Sequence, residues 1–130
     1  MGSETDQVLV AFDRGVAHVR FNSPGTANGL DVPFLRPFYD VLMQVHGDSR
    51  TRAVLLTGEG KHFCAGGNVK EFMSRGEQLP HYLREATSWL GMCASALMRL
   101  EAPVVTAVRG FAAGGGGFVC ASDLVLAGES

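Results

Sequence analysis

The chain is short of the residues that build metal centres and disulfide frameworks. It has only three cysteines, Cys64, Cys93 and Cys120. No two of them stand at metal-ligand spacing, and no histidine accompanies them at zinc-like distances, so a metal-site reading has no support. A sparse, odd set in apolar surroundings instead reads as buried thiols in a reducing compartment. Charge is also scarce: 18% of residues are charged, the net charge is −2 and the pI is near 6.0. That balance argues against a surface built for nucleic acid. No stretch approaches the run of about 20 apolar residues that a membrane helix needs. The segment Met1-Gly2-Ser3-Glu4-Thr5-Asp6 is polar and carries no signal-peptide core. Asp6 stands where a myristoylation pattern needs serine or threonine. The expectation from these absences is a cytoplasmic chain with no membrane and no nucleic-acid partner.

Hydrophobic residues make up 46% of the 130 residues, enough for one packed domain over 1–130. Val8 to Phe12 and Val16 to Phe21, joined through Asp13-Arg14-Gly15, read as a β-hairpin, with Val16, Ala17, Val19 and Phe21 expected inside. Asp31 is placed to cap a helix running to His46, with Gly47 past its end. Phe34, Phe38, Leu42 and Val45 share one face of that helix. Ala53 to Thr57 is a strand without polar alternation, expected to be covered on both faces. A short helix is expected from Asn68 to Gly76. A long one follows from Pro80 to Glu101, with a main stripe including Leu83, Ala86, Leu90, Cys93, Leu97 and Leu100 and a second stripe of Trp89, Met92 and Ala96. Strands at 104–108 and 124–127 complete a mixed α/β domain with parallel crossovers.

The 17 glycines, about twice the usual share, gather at turns. Two turns matter most. Phe63-Cys64-Ala65-Gly66-Gly67-Asn68 follows the strand at 53–57, and Ala113-Gly114-Gly115-Gly116-Gly117 follows the strand at 104–108. A dinucleotide fingerprint fails because Val119 occupies its third glycine position. A P-loop fails because Gly115-Gly116-Gly117-Phe118 lacks the Lys-Ser/Thr pair. A nucleophile elbow fails because neither turn contains serine. The turns then serve either as tight corners of a packed sheet or as backbone N–H donors, two of which could hold one negative oxygen.

Three stretches carry a resemblance. They are Asn22 to Leu30, then Ala53 to Glu71, then Ala102 to Gly116 with Ala121 to Ala127 behind it. In that order and spacing the chain resembles the N-terminal half of a crotonase-superfamily protein, the enoyl-CoA hydratase/isomerase family. The resemblance implies an α/β, crotonase-like spiral of ββα units, a ClpP/crotonase-type core whose C-terminal part is missing. It implies an acyl-CoA thioester as substrate, no cofactor beyond the coenzyme A that the substrate carries, and no metal. It implies homotrimers or hexamers, with a C-terminal half supplied by the same or another chain. In a eukaryote the compartment would be the mitochondrial or peroxisomal matrix rather than the cytoplasm.

The resemblance also assigns residues. The backbone N–H groups of Gly67 and Gly115 match the pair that holds the thioester oxygen. Ala27, Asn28, Gly29, Ala65, Gly66 and Asn68 match stretches that hold the adenine and pantetheine ends. Gly114 and Phe118 fall at the substrate, and Lys70 is placed to approach a CoA phosphate or to stand as a solvated lysine. Family hydratases carry a glutamate two positions after the triple glycine. Here that position is Phe118, or Gly117 under a shifted alignment, and neither is a carboxylate. Glu129 and Glu71 read as exposed polar residues. His18, His46, His62 and His81 read as structural or exposed, and Cys64 as a buried thiol rather than a nucleophile. The expected function is isomerase- or hydratase-like proton chemistry on an acyl-CoA in a completed protein, the alternatives being a thioester hydrolase, a dehalogenase or a non-catalytic acyl-CoA-binding or assembly subunit.

Overall fold

The computed structural model describes residues 7–110, 112, 118 and 122–128. The described strands are β1 (Val8–Asp13), β2 (Val16–Phe21), β3 (Ala53–Gly58), β4 (Val104–Val108) and β5 (Leu124–Ala127). They form one sheet in the order β1-β2-β3-β4-β5, antiparallel between β1 and β2 and parallel thereafter. The helices are α1 (Val32–His46), α2 (Val69–Met73) and α3 (Leu79–Met98).

Local chemistry explains most boundaries. Arg14 and Gly15 have φ of 49° and 86°, the two left-handed residues of a type I′ turn whose twist matches the strands it joins. The Asp31 carboxylate accepts from Phe34 N at 3.0 Å and caps α1, while Gly47 closes it. Asn68 caps α2 by accepting from Glu71 N at 3.3 Å. That helix stops at Met73 and a 3-10 turn over Gly76–Gln78 follows, so the expected helix to Gly76 divides in two.

One face of the sheet packs on α1 and α3. Its centre is Phe21, whose ring lies 4.9 to 6.1 Å from the rings of Phe34, Phe38, Phe63 and Phe118. All five are fully buried. Three expectations are corrected. Val16 is 36% exposed, because the strand's period of two places it with His18 and Arg20 on the other face. β3 alternates in burial, with Val54 and Leu56 buried and Leu55 half-buried, since the described helices cover only one face. On α3, Leu83 and Met92 are 37% and 42% exposed, because the buried residues follow a single stripe through Ala86, Cys93, Ala96 and Leu97.

Two groups make this packing testable. Cys93 is buried beside the Leu35 carbonyl (3.4 Å), and burial, helped by the Asp40 charge, pushes its thiol up to about 12. Cys93 should therefore escape iodoacetamide in the native protein at pH 8 and react only in denaturant, as peptide mass spectrometry would report. His18 lies on the opposite face, its Nε2 2.8 Å from Thr57 Oγ1. Burial, and then the Arg20 charge, lower its pKa below the ordinary 6.5, with Glu59 opposing. Below 6.5 the unfolded chain therefore binds more protons at this site than the folded one, and stability falls as pH drops. Urea unfolding between pH 7 and pH 5 should show a shallower loss in His18→Gln than in the wild type. Equal slopes would remove His18 as the source.

Candidate functional site

The loop after β2 and the first glycine turn meet edge to edge. Ala65 N donates to Ala27 O at 3.0 Å, Leu30 N to Gly66 O at 2.8 Å, and Asn68 N to Leu30 O at 3.3 Å. Residues 27–30 and 65–68, far apart in sequence, thus run side by side as a short parallel bridge. Gly66 has φ of 101°, a left-handed value that glycine adopts without strain. Both bonds to Leu30 come from residues flanking Gly67. In a parallel bridge the middle residue's own N–H points to the opposite side. The Gly67 N–H has no acceptor among the described residues, and Gly67 is exposed.

A second bridge joins Cys64 to Ala112, the residue just before the second glycine run. Phe63 N donates to Arg109 O at 2.7 Å alongside it. The first turn therefore lies beside Ala112. Gly114 and Gly115 fall outside the described residues.

The other expected residues divide. Gly29 sits close against Asn68: a Cβ there would lie 3.1 Å from Thr26 O and 3.2 Å from Asn68 Cβ, so its neighbours would have to give by a few tenths of an ångström. Asn28 is fully buried, and its side chain is committed. Its Oδ1 accepts from Ser23 N at 2.7 Å, and its Nδ2 donates to Glu59 O and His62 O, each at 3.0 Å. The Asn28 side chain is thus a strut between the two loops, and the residue's φ of 55° is one that asparagine tolerates. Phe118 is buried in the core, where its ring packs on Phe38 at 5.1 Å. Lys70 is exposed on α2. Cys64 is buried with the core cluster.

Three supporting contacts had no signature in the sequence. The Asp31 carboxylate, besides capping α1, accepts from Asn68 Nδ2 at 2.8 Å across 37 positions of sequence. Phe72 on α2 places its ring against Gly67, where a built Cβ would lie 2.5 Å from Phe72 Cε2. Tyr82 on α3 stands behind Phe72, with ring centroids 5.9 Å apart. At the carboxyl ends of β3 and β4, a cleft of about 380 Å³ is lined by Gly60, Lys61, His62, Arg109 and Gly110. Gly110, with φ of 64°, leaves no space for a side chain beside Lys61 O and His62. Among the described residues no three His, Cys, Asp or Glu cluster in a metal-binding group, and no helix is long and apolar enough to cross a membrane.

The family model described as enoyl-CoA hydratase/isomerase matches residues 11–130. The chain belongs to the enoyl-CoA hydratase/isomerase family. Among its relatives, Bacillus subtilis YngF, which carries an enoyl-CoA hydratase/isomerase name, is 35% identical over 88% of this chain and 44% of its own length. The Arthrobacter 4-chlorobenzoyl coenzyme A dehalogenase-2 is 31% identical over 97% of this chain and 47% of its own. The crystal structure of an enoyl-CoA hydratase from Bacillus anthracis superposes with a TM-score of 0.86 at 31% identity, over 95% of this chain and 48% of that one. The chain therefore has the crotonase fold and spans about half the length of the curated relatives it matches. The enoyl-CoA hydratase/isomerase family thus includes relatives named for dehalogenation as well as hydration.

Proposed function

We propose that the chain binds an acyl-CoA thioester with its carbonyl oxygen between the backbone N–H groups of Gly67 and Gly115, and that these donors stabilise the enolate formed when a proton leaves the carbon beside the thioester. The observation that carries this reading is the Gly67 amide. It is exposed, unpartnered among the described residues, and turned away from the Leu30 pairing that holds its neighbours. A backbone donor fixed before the reaction stabilises charge where it develops, without reorganisation in the transition state. Lys61 and Arg109 at the neighbouring cleft supply positive charge suited to a phosphate-bearing ligand. Ala27, Gly29, Ala65, Gly66 and Asn68 present the backbone edge along which adenine and pantetheine would lie, and Lys70 would reach toward a phosphate.

With Phe118 in the core and no carboxylate at the hydratase position, proton transfer is assigned to a carboxylate outside residues 11–130, in the manner of an isomerase or hydratase. The protein works as a homotrimer or hexamer in this reading. A second reading, dehalogenation of an aroyl-CoA, is favoured by the dehalogenase relative's match across 97% of the chain. Both readings share the carbonyl-binding step.

The test is a pair of ligands. Crotonyl-CoA carries the carbonyl oxygen, and its thioether analogue has a methylene there instead. The thioester should bind about tenfold more tightly, the worth of a good hydrogen bond to a polarised oxygen. Equal affinities would refute the oxyanion hole, and no binding of either would refute the CoA-ligand reading.

A further inference from the structure

We propose that Tyr82 is a positioning residue that, acting through Phe72, holds the Gly67 amide in its donating orientation. This rests on the reading of Gly67 as a carbonyl donor. The turn at 65–68 is fixed in the plane of its bridge by the bonds to Ala27 and Leu30, but those bonds leave the perpendicular direction free. Phe72 closes that direction. Its ring fills the space a side chain on Gly67 would take, with Cε2 and Cζ 2.5 and 2.9 Å from a Cβ built there. The missing side chain at Gly67 is therefore the seat of the ring.

Phe72 needs a backstop of its own, since it sits on a five-residue helix that a single turn of hydrogen bonds cannot hold rigid. Tyr82 provides it. The ring of Tyr82 is 7% exposed and packs on Phe72 with an interplanar angle of 60°. The Arg75 guanidinium lies 4.1 Å from the same ring, and Arg75 is itself paired with Glu71 of α2. The phenol oxygen accepts from Val32 N at 3.1 Å, one of the first N–H groups of α1 that has no partner within its own helix. One side chain of α3 thus ties the start of α1 and, through Phe72, α2 to the donor turn. Asp31 bridges the same two elements by capping α1 and accepting from Asn68. Tyr82 touches no reacting atom in this arrangement, and its effect passes through Phe72 to the direction in which the Gly67 N–H points.

The experiment uses three variants, Tyr82→Leu, Phe72→Leu and Tyr82→Phe, in two measurements. In amide hydrogen exchange, Tyr82→Leu and Phe72→Leu should speed exchange at Leu30 and Asn68 by about tenfold while the β1–β2 amides stay within about twofold. Tyr82→Phe, which keeps the ring, should stay close to wild type at Asn68. An equal rise at every amide, or none at Leu30 and Asn68, would overturn the clamp. In the second measurement, the infrared stretch of a ¹³C-labelled crotonyl-CoA carbonyl is read on the protein. Wild type should shift it to lower wavenumber, and both leucine variants should lose much of that shift while binding the thioether analogue with wild-type affinity. Parallel loss of both ligands would mean a merely structural role and overturn the proposal. If the wild type binds neither ligand, the functional reading falls, and the exchange data still decide whether Tyr82 holds the turn.

Discussion

Replacing Gly67 by proline is expected to abolish the preference for a thioester over its thioether analogue, and to lower turnover by about 10²- to 10³-fold where the protein turns over an acyl-CoA. Proline removes the one N–H that the proposed hole takes from the first turn. It sacrifices no bridge hydrogen bond, because the bonds to Leu30 use Gly66 O and Asn68 N. The substitution also adds carbon where Phe72 sits, so a control is needed. Gly67→Ala supplies it: the alanine keeps the N–H yet displaces the same ring. The difference between the two variants gives a lower bound on the donor, since displacing the ring also loosens the N–H that alanine keeps; removing such a donor costs about 2.7–4 kcal/mol of transition-state stabilisation in enzymes where it has been done. Retention of the thioester preference in Gly67→Pro would show that the oxygen binds elsewhere.

The second large effect concerns the core. Phe21→Ala should destabilise the fold by about 3–5 kcal/mol, read from the midpoint of urea unfolding at an unchanged m-value. Phe21 is the hub of the aromatic cluster, with four rings around it at 4.9 to 6.1 Å. Truncation removes the transfer energy of the ring and leaves a cavity that four large neighbours, drawn from α1, the first turn and the region of Phe118, cannot all collapse to fill. The loss also reaches the site. Phe21 O accepts from Glu59 N at 2.8 Å, and Phe63 leads directly into the donor turn. Phe21→Leu should cost less, because it keeps part of the volume. A loss under about 1 kcal/mol in Phe21→Ala would mean that the cluster is not the centre of the core.

The hairpin and the helix caps were legible because each is decided over a few residues. Arg14-Gly15 can take a left-handed turn, Asp31 can cap the helix that starts after it, and Gly47 can end it. The family is legible for a different reason: three glycine-bearing stretches fall in one order across nearly the whole chain, and the match to residues 11–130 bears that out. Side chains with partners far along the chain were not legible. Asn28 sits in a motif stretch and reads as ligand-lining, yet its amide is consumed by Ser23, Glu59 and His62. Phe118 falls at a substrate position by motif, and nothing in its spacing shows that its ring packs with Phe21 and Phe38. The stripes expected on α3 were too wide, since sequence spacing shows which residues share a face but not how much of that face a neighbour covers.

By itself, then, the sequence determined the local elements, the family and the position of the first glycine turn, because short-range backbone preferences and motif order are written in consecutive residues. The tertiary structure alone decided which way the Gly67 amide points. That direction depends on the pairing with Leu30, the Asp31–Asn68 bond and the Phe72 ring, contacts made by groups that only folding brings within reach of one another. It also decided that the glycine at 67 has a second use, since the space it leaves empty is where an aromatic ring comes to rest.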